Sequence, residues 1–201
     1  MRLIDLGPAA EDDMVLAFLR AEIDSARFGS TYRGILANSS LDRHSLIDNP
    51  DRNSYQANSI RRQLLKCVRG YSSNTYLFRG LPTDLTWRRV ALDQTDLPKL
   101  KYANCPPWVE LSRGTRLVGE GAKNIGTNTP SEDAAVNIRA VADDLTRGKR
   151  YAELIGVYDD NGDIILMEGH TRATAYVAAA LPDRVECIVG SSTTIRNWVF
   201  Y

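Results

Sequence analysis

The residues best suited to chemistry follow an apolar run late in the chain. Ile164–Met167 is apolar, Glu168 and Gly169 come next, and His170–Ala175 is rich in small residues. This order predicts a strand, a glycine turn and a helix. Glycine lets a backbone approach a ligand closely, and the first turn of a helix offers unpaired N–H groups and the positive end of a dipole. The sequence therefore predicts a phosphate site at this junction.

The side chains of the junction match what phosphoryl or phosphodiester hydrolysis needs: a cationic clamp, a metal and a group that activates water. Arg172 adds a fixed positive charge beside the start of the helix. Glu168 can hold Mg²⁺ or another divalent cation, or act as a base. His170 is of a type that titrates near neutrality, so it can exchange a proton or contact phosphate. The Thr171 hydroxyl can also bind phosphate.

Each of these residues has a structural interpretation as well. Arg172 can brace the helix, and Gly169 can be an ordinary turn. Glu168 can be a surface carboxylate or a helix cap. His170 can pack or cap the helix, and Thr171 can stabilise the turn. The residue types leave both interpretations open.

A second chemical feature is a basic segment in a chain whose 25 basic and 25 acidic residues otherwise balance. Residues 52–90 carry eight basic side chains and one acidic side chain, a net charge of +7, whereas residues 1–51 carry five and nine. Lysine and arginine neutralise phosphates without reading sequence, so the segment predicts nonspecific DNA binding. The predicted DNA contacts are Arg61, Arg62, Lys66, Arg69, Arg79, Arg88 and Arg89.

Aromatic residues lie among these basic residues. Tyr71, Tyr76, Phe78 and Trp87 can stack on single-stranded bases or can pack in the core. The acidic residues 1–51 can instead bind the basic face in cis and close it. In that case, deleting them is expected to tighten DNA binding.

Periodicity and capping predict the elements of the N-terminal half. An amphipathic helix is predicted from Glu11 to Gly29, after which residues 30–53 are predicted to be a loop with at most a short helix around Leu41–Ile47. A second helix is predicted over Ser54–Val68, ended by a glycine. Two β-rich runs, Thr75–Leu81 and Leu85–Leu92, then predict a hairpin.

The middle of the chain predicts short elements. Pro98 suits the first turn of a short helix through Tyr102. Pro106-Pro107 is predicted to end that helix, and short strands are predicted at Trp108–Leu111 and Thr115–Val118. The glycine-rich segment Gly119–Asn128 predicts a lid over the substrate or a surface connection.

The C-terminal part supplies the elements that carry the junction. A capping box with a proline, Thr129–Glu132, predicts the start of a long helix that ends near Gly148. A hairpin of Leu154–Tyr158 and Asp163–Glu168 delivers the junction, and Arg184–Val189 is predicted as the last core strand.

Composition limits the class of protein. The three cysteines, Cys67, Cys105 and Cys187, form no C-x-x-C pair, which suits a reducing compartment. No run approaches the roughly 20 apolar residues of a membrane span. We therefore expect a cytoplasmic protein without membrane insertion.

The motif Gly-x-x-Arg-x-x-Ala at 169–175, preceded by a strand and an acidic residue, resembles the nucleotide-binding motif of the ParB/sulfiredoxin superfamily. The order of predicted elements over 74–190 is also similar to the core of that family. The resemblance implies an α/β (mixed α+β) fold with a nucleotide-binding core at 74–190. Residues 1–73 would be a helical N-terminal extension and residues 191–201 a C-terminal tail.

The resemblance also implies ligands. ATP is expected at Gly169, His170, Thr171 and Arg172, with a divalent cation on Glu168. Analogy of fold places Lys123 near the same ligand.

Two departures limit the resemblance. Sulfiredoxins have a catalytic cysteine where this chain has His170, so repair of sulfinic acid is excluded. ParB proteins that clamp DNA carry a helix-turn-helix after this core, and only a dozen residues follow Val189 here. A partition function is therefore not expected.

The chain further resembles the plasmid-encoded oncogenic-suppression proteins in its opening residues 1–7, its Tyr76–Gly80 segment and its junction, Glu168–Ala175. Proteins of that class are fertility inhibitors, which block DNA transfer through a type IV secretion system. The resemblance implies an ATPase that also degrades DNA, with the coupling protein of the inner-membrane secretion machinery as a partner that recruits it.

Two other functions remain open. One is a noncatalytic inhibitor that binds the coupling protein through the acidic N-terminal helix. The other is a small-molecule kinase, because relatives of this fold phosphorylate free amino acids.

Overall fold

A five-stranded mixed sheet with helices on both faces organises the protein. The computed structural model describes residues 3–127 and 132–201. The strand order is β1-β2-β5-β3-β4, in which β3 and β5 are parallel and the other neighbours antiparallel. The mixed α/β class is confirmed. The strands are β1 Ile4–Ala9, β2 Thr86–Asp93, β3 Leu154–Tyr158, β4 Ile164–Glu168 and β5 Arg184–Ser191.

The β3–β4 hairpin forms as predicted. Both strands are apolar runs whose side chains are buried on the two faces of the sheet, as in strands covered by helices on both sides. The Asp159 carboxylate fixes the turn by accepting hydrogen bonds from the backbone N–H groups of Asn161 (2.8 Å) and Asp163 (2.9 Å). The hairpin places the end of β4, at Glu168, one residue before the next helix.

The helices α1 Glu11–Glu22, α2 Gly29–Asn38 and α3 Tyr55–Arg69 cover one face of the sheet. The predicted first helix is confirmed, although it ends at Glu22 rather than Gly29. The predicted second helix is also confirmed, because the Ser54 hydroxyl caps it and Gly70, with φ of +75°, ends it. Phe18 of α1 and Ile188 of β5 belong to one buried cluster, so residues 1–73 pack directly on the sheet.

The helices α4 Pro106–Leu111, α5 Val118–Lys123, α6 Glu132–Thr146 and α7 His170–Ala179 cover the other face. The helix predicted to end near Gly148 is confirmed as α6. The predicted capping residues 129–131 lie outside the described residues. α7 follows β4 through a single residue, Gly169, as predicted.

Two predictions for the N-terminal half are wrong. α2 occupies the predicted loop as far as Asn38, because Tyr32 and Leu36 recur one turn apart and bury against the core. The short helix predicted around Leu41–Ile47 is present as a wide helical turn, His44–Asp48. No strand forms within Thr75–Leu81, where Tyr76–Phe78 is a short 3₁₀ turn. The partner of β2 is instead β1, from the first residues of the chain, with Ile4 opposite Ala91.

Two predictions for the middle of the chain are also wrong. Pro106 begins α4 instead of ending a helix, because proline is well tolerated in a first turn, so no strand forms at 108–111. Half of the predicted lid, Gly119–Lys123, belongs to the short helix α5, and the predicted strand Thr115–Val118 is reduced to one bridge, between Leu117 and Lys101. The glycines of α5 allow close packing, since a Cβ on Gly121 would collide with Tyr102.

The C-terminal residues are built into the core. Trp198 is 1% exposed, and its indole Nε1–H donates to the carbonyl of Leu77 at 2.7 Å. The backbone N–H of Val199 donates to the carbonyl of Arg79 at 3.1 Å. Within residues 3–127 and 132–201, no helix has both the length and the apolar character needed to cross a membrane.

Candidate functional site

The junction between β4 and α7 has the predicted geometry. Gly169 has a φ of +98°, a left-handed conformation that L side chains rarely adopt. A Cβ at this position would collide with Leu154 Cδ2 and lie 3.2 Å from Nη2 of Arg172. Gly169 therefore allows the chain to turn directly from the buried strand into α7. The first turn of α7 has N–H groups that the helix cannot satisfy internally.

Arg172 is turned into the protein. Its residue is 6% exposed, and Nη1 donates to the backbone carbonyls of Ala152 and Glu153. Its Nη2 lies 3.4 Å from Oε1 of Glu168. These contacts tie β4, α7 and the segment before β3 together. Arg172 therefore has the bracing role that the sequence left open. Its guanidinium charge also lies beside the first turn of α7.

Glu168 lies at the end of β4 with its side chain 22% exposed. Its carboxylate is the nearest acidic group to the start of α7 along the chain. Within the described residues, no three histidine, cysteine or acidic side chains come together as a metal-binding group. A divalent cation on Glu168 would therefore need most of its oxygen ligands from a bound phosphate or from water.

The residue type of His170 predicts titration near neutrality, but its surroundings disfavour the charged ring and lower its pKa. Burial, with the charges of Arg69, Arg172 and Arg116, lowers the pKa of His170 to about 3. The Nε2 atom accepts a hydrogen bond from the backbone N–H of Ala103 at 3.2 Å, which assigns the ring proton to Nδ1.

Two aromatic rings hold the His170 imidazole. Trp108 stacks on it with ring centroids 5.2 Å apart, and Tyr102 lies 6.0 Å away in a similar orientation. The Tyr102 hydroxyl shares a 2.7 Å hydrogen bond with the Thr174 hydroxyl, whose oxygen lies 2.7 Å from the His170 carbonyl. The first turn of α7 is thus fixed from one side. Thr171, the next residue of that turn, is half-buried.

The N-terminal helices hold a buried carboxylate that the sequence did not single out. Glu22, the last residue of α1, is 3% exposed and accepts a hydrogen bond from the Tyr32 hydroxyl at 2.9 Å. The Arg69 Nε, at the end of α3, lies 3.4 Å from Oε1 of Glu22. Burial, together with the negative charge of Glu168, raises the pKa of Glu22 to about 7 against the opposing effect of Arg69.

A signal for Glu22 was present in the sequence. The apolar face of α1 includes Val15, Phe18 and Leu19, and Glu22 follows Phe18 by four residues and Leu19 by three. A carboxylate on a buried helix face is rare unless it is paired or functional. Nothing in the sequence could identify Arg69 as its partner.

Lys123 lies away from the junction, contrary to the analogy of fold. It sits on α5 at the edge of an open cleft of about 460 Å³ that is lined by Val177 and Ala178 of α7. These residues are seven or eight positions from the start of α7, roughly 10 Å along a helix. The Lys123 side chain is 72% exposed, and its Nζ contacts Glu120 at 2.7 Å. We therefore exclude Lys123 from the candidate site.

The basic segment is largely paired with acidic residues of β1 and α1. Its arginines contact carboxylates that the sequence places in the acidic N-terminal region, as expected if that region closes the basic face in cis. The pairs are Arg62 with Asp12, Arg88 with Asp5, Arg89 with Asp13, and Arg69 with Glu22. The net charge of +7 in residues 52–90 therefore does not appear as an open basic surface.

Arg61 is not a surface residue, and its assignment as a DNA contact is wrong. It is 1% exposed, and its guanidinium donates to the carbonyls of Leu46 and Asp51 and to the Asn58 side chain. Lys66 and Arg79 are exposed and carry no ion pair within the described part of the chain. Arg88 is also exposed but is paired with Asp5, so Lys66 and Arg79 are the accessible predicted DNA contacts without a counter-ion among the described residues.

The aromatic residues of the basic segment are mostly core residues. Tyr71, Phe78 and Trp87 are between 4% and 7% exposed. Tyr76, which is 76% exposed, is the member of this set that a base could reach.

Comparison of the chain with protein-family models, with curated proteins and with solved structures finds no match.

Proposed function

We propose that the β4–α7 junction binds the phosphates of a nucleotide such as ATP and that the protein hydrolyses ATP. The supporting observation is the geometry of the junction. Gly169 has a left-handed φ of +98° and no Cβ, and α7 begins at the next residue, with Arg172 in its first turn. The helix N-terminus adds its dipole and N–H groups at the same place.

The residues of the junction fit a bound nucleotide. The N–H groups of His170 and Thr171 and the Thr171 hydroxyl can contact phosphate oxygens, because Gly169 has no Cβ to hold the ligand away. Glu168 can hold a divalent cation bridged to those phosphates or orient the attacking water. Such a cation, when bound, neutralises charge on the phosphate oxygens. His170 contributes position and its Nδ1–H rather than an acidic proton.

The wider role follows from the resemblance to fertility inhibitors. We propose that the ATPase also degrades DNA and blocks DNA transfer through a type IV secretion system. DNA would approach the junction or the accessible Lys66 and Arg79, because the rest of the basic segment is paired internally. The acidic side chains of α1 are engaged in the same pairs, which disfavours α1 as the surface that binds the coupling protein.

The test compares wild type with two glycine variants. Gly169→Ala places a methyl group in the junction. Gly162→Ala is the matched control, since Gly162 also has a positive φ (+79°) but no atom within 4 Å of the point that a Cβ would occupy. Titration calorimetry with ATP and Mg²⁺ is expected to show binding for wild type and Gly162→Ala. Gly169→Ala is expected to lose it while circular dichroism shows a folded protein.

The products identify the reaction class. Purified protein incubated with ATP, Mg²⁺ and plasmid is expected to give ADP, phosphate and nicked DNA. ADP formed only with an added amino acid would instead indicate a kinase. Absence of ATP binding by wild type, or binding by Gly169→Ala equal to that of wild type, would contradict the assignment of the junction.

A further inference from the structure

The two most exposed aromatic rings among the described residues lie at opposite ends of α3. Tyr55, the first residue of the helix, is 82% exposed, and Tyr76, which follows the end of the helix, is 76% exposed. Burial of an aromatic ring is strongly favourable, so large rings left in solvent call for a binding role. The other aromatic residues of the basic segment, by contrast, are core residues.

Both rings lie on one stripe of the helix. Arg62 follows Tyr55 by seven residues and Lys66 follows Arg62 by four, spacings that place side chains on the same side of a helix. The Arg62 Cζ lies 6.0 Å from the centroid of the Tyr55 ring. At the other end, the Gly70 N–H donates to the Lys66 carbonyl at 2.9 Å, and a Cβ on Gly70 would lie 2.8 Å from Cδ2 of Tyr76. The Tyr76 ring therefore packs over the helix end that carries Lys66.

The segment that presents Tyr76 is fastened to the C-terminal residues. The Trp198 indole donates to the carbonyl of Leu77 at 2.7 Å, one residue after Tyr76. The backbone N–H of Val199 donates to the carbonyl of Arg79 at 3.1 Å. The exposed ring is thus held in place by the core rather than carried on a loose loop. A ring that is already fixed loses little conformational entropy when a ligand stacks on it.

The stripe between the two rings is basic. α3 contains no acidic residue. Lys66 is exposed and makes no ion pair within the part of the chain that the structure describes. Arg62 pairs with Asp12 but keeps its side chain 31% exposed. A polyanion lying along α3 can therefore contact Lys66 without displacing a protein carboxylate.

We propose that this stripe, defined by Tyr55, Arg62, Lys66 and Tyr76, is a docking surface for single-stranded DNA, with bases stacked on the two rings and phosphates on the two cations. The inference rests on the proposed function for the identity of the polyanion. It adds a second surface, because α3 and α7 cover opposite faces of the sheet.

The length and chemistry of the stripe fit a single strand. Fifteen residues separate Tyr55 from Gly70, which is roughly 22 Å along a helix. At about 3.4 Å per nucleotide of a stacked strand, this span corresponds to about six nucleotides, and to fewer in an extended strand. Every base has a face that an aromatic ring can stack on, and a single strand can offer those faces. A duplex keeps them within its own stack, so only its phosphates can contact the stripe.

The first test measures binding to a labelled oligothymidylate of about 15 nucleotides by fluorescence anisotropy, at low salt and with EDTA to prevent cleavage. Wild type is expected to bind this strand at least about fivefold more tightly than a duplex of the same length. Tyr55→Ala and Tyr76→Ala should each weaken single-strand binding about 5- to 50-fold, with little effect on the duplex. Tyr55→Phe and Tyr76→Phe keep the rings and should stay within about twofold of wild type.

The second test measures the charge contact. Lys66→Gln should lower the slope of log affinity against log salt by about 0.7, the share of one phosphate contact on a single strand. Lys123→Gln is the matched control, since Lys123 is 72% exposed and lies on α5, on the other face of the sheet. Its slope should equal that of wild type. A slope that Lys66→Gln leaves unchanged would contradict the contact.

The outcomes are separable from a failure of the proposed function, because oligonucleotide binding is measured without ATP or a divalent cation. Absence of binding by wild type, or equal binding by wild type and the folded Tyr55→Ala and Tyr76→Ala variants, would overturn the docking surface even if wild type hydrolyses ATP and nicks DNA. Binding through the two rings without ATP hydrolysis or nicking would overturn the proposed function alone. Polyglutamate has the charge without the bases and should compete weakly. Competition equal to that of oligothymidylate would assign the stripe to an acidic polypeptide and overturn the proposal.

Discussion

Two groups of arginines in this protein have opposite surroundings. Arg62, Arg88 and Arg89 come from the basic segment, and each contacts a carboxylate of β1 or α1. Arg116 and Arg172 lie at the junction, where Arg116 donates to the carbonyl of Tyr102, beside His170, and Arg172 donates to those of Ala152 and Glu153. The first group has the higher local charge in the sequence but is neutralised in the fold. The second group comes from distant parts of the sequence and donates to backbone carbonyls.

The difference shows why the net charge of a segment does not predict a surface potential. Partner charges can come from any other segment, and here they come from the first 22 residues. Those residues are also structural, since Phe18 and Leu19 of α1 are fully buried and β1 pairs with β2 along its length. Deleting residues 1–51, which the sequence suggested as a test of masking, would therefore unfold the protein rather than expose a basic face.

The largest expected effect is on the junction itself. Gly169→Ala should lower the free energy of unfolding by about 2–4 kcal/mol, because it combines a strained φ with a collision against Leu154. Gly162→Ala introduces a strained φ without a collision and should lower the free energy of unfolding by about 1–2 kcal/mol. Urea denaturation of both variants measures the difference. Equal losses would mean that the junction is not tightly packed around Gly169.

The next effect concerns Glu22 and pH. Its pKa in the folded protein is about 7, raised from 4.5 by burial, so the folded state binds more protons than the unfolded state between these values. The contribution of Glu22 to stability therefore falls as pH rises from 4.5 to 7. Glu22→Gln lacks this titration and should be more stable than wild type by about 1–3 kcal/mol at pH 8, with little difference at pH 4.5.

The quantity to measure is the difference in the free energy of unfolding between Glu22→Gln and wild type, because the contribution of His170 to stability depends on pH in the opposite direction. Its pKa is lowered from 6.5 to about 3, so its contribution falls as pH drops through that range. The His170 contribution is present in both proteins and cancels in the difference. Glu120→Gln is the control, since the Glu120 side chain is 39% exposed and contacts Lys123 on the same short helix. A pH-independent difference between Glu22→Gln and wild type would contradict the burial of a titrating carboxylate.

A smaller effect is expected from unmasking the basic segment. Asp12→Asn together with Asp13→Asn releases Arg62 and Arg52, both in the basic segment, from their carboxylates without removing α1. Nonspecific DNA affinity at low salt should rise about three- to tenfold, and the dependence of log affinity on log salt should steepen by about two. Asp160→Asn, which releases Arg196 far along the chain, is the control. An unchanged salt dependence in the double variant would show that the paired arginines do not face DNA.

The sequence predicted the features that depend on neighbouring residues and missed those that depend on residues far apart in the chain. The junction was predictable because β4, Gly169 and the first turn of α7 are consecutive, so pattern and turn chemistry act on the same few residues. β1 was missed because its partner β2 lies some eighty residues later, and an isolated six-residue strand has no distinguishing period. α2 was missed because tertiary packing of Tyr32 and Leu36 outweighs a sequence rich in glycine, serine and asparagine.

The same contrast between local and long-range information applies to the chemistry of the site. Residue type suggested that His170 titrates near neutrality, but its pKa depends on Arg69 and Arg116, which reach it only in the folded chain. The role of Arg172 was left open for the same reason, since the carbonyls of Ala152 and Glu153 are not recognisable as partners in a sequence. Only Glu22 could have been suspected earlier, from its place on the apolar face of α1.

The smallest expected effect tests the paired arginines as contributors to stability. The side chains of Arg88 and Asp5 are 51% and 55% exposed, so water and salt screen their attraction. Arg88→Gln should therefore change the free energy of unfolding by less than about 0.5 kcal/mol, and any loss should disappear at high salt. Arg69→Gln leaves Glu22 buried with one partner fewer and should cost about 1–3 kcal/mol at pH 8 with little salt dependence. Similar losses and similar salt dependence in the two variants would show that Arg69 is held no differently from the surface pairs.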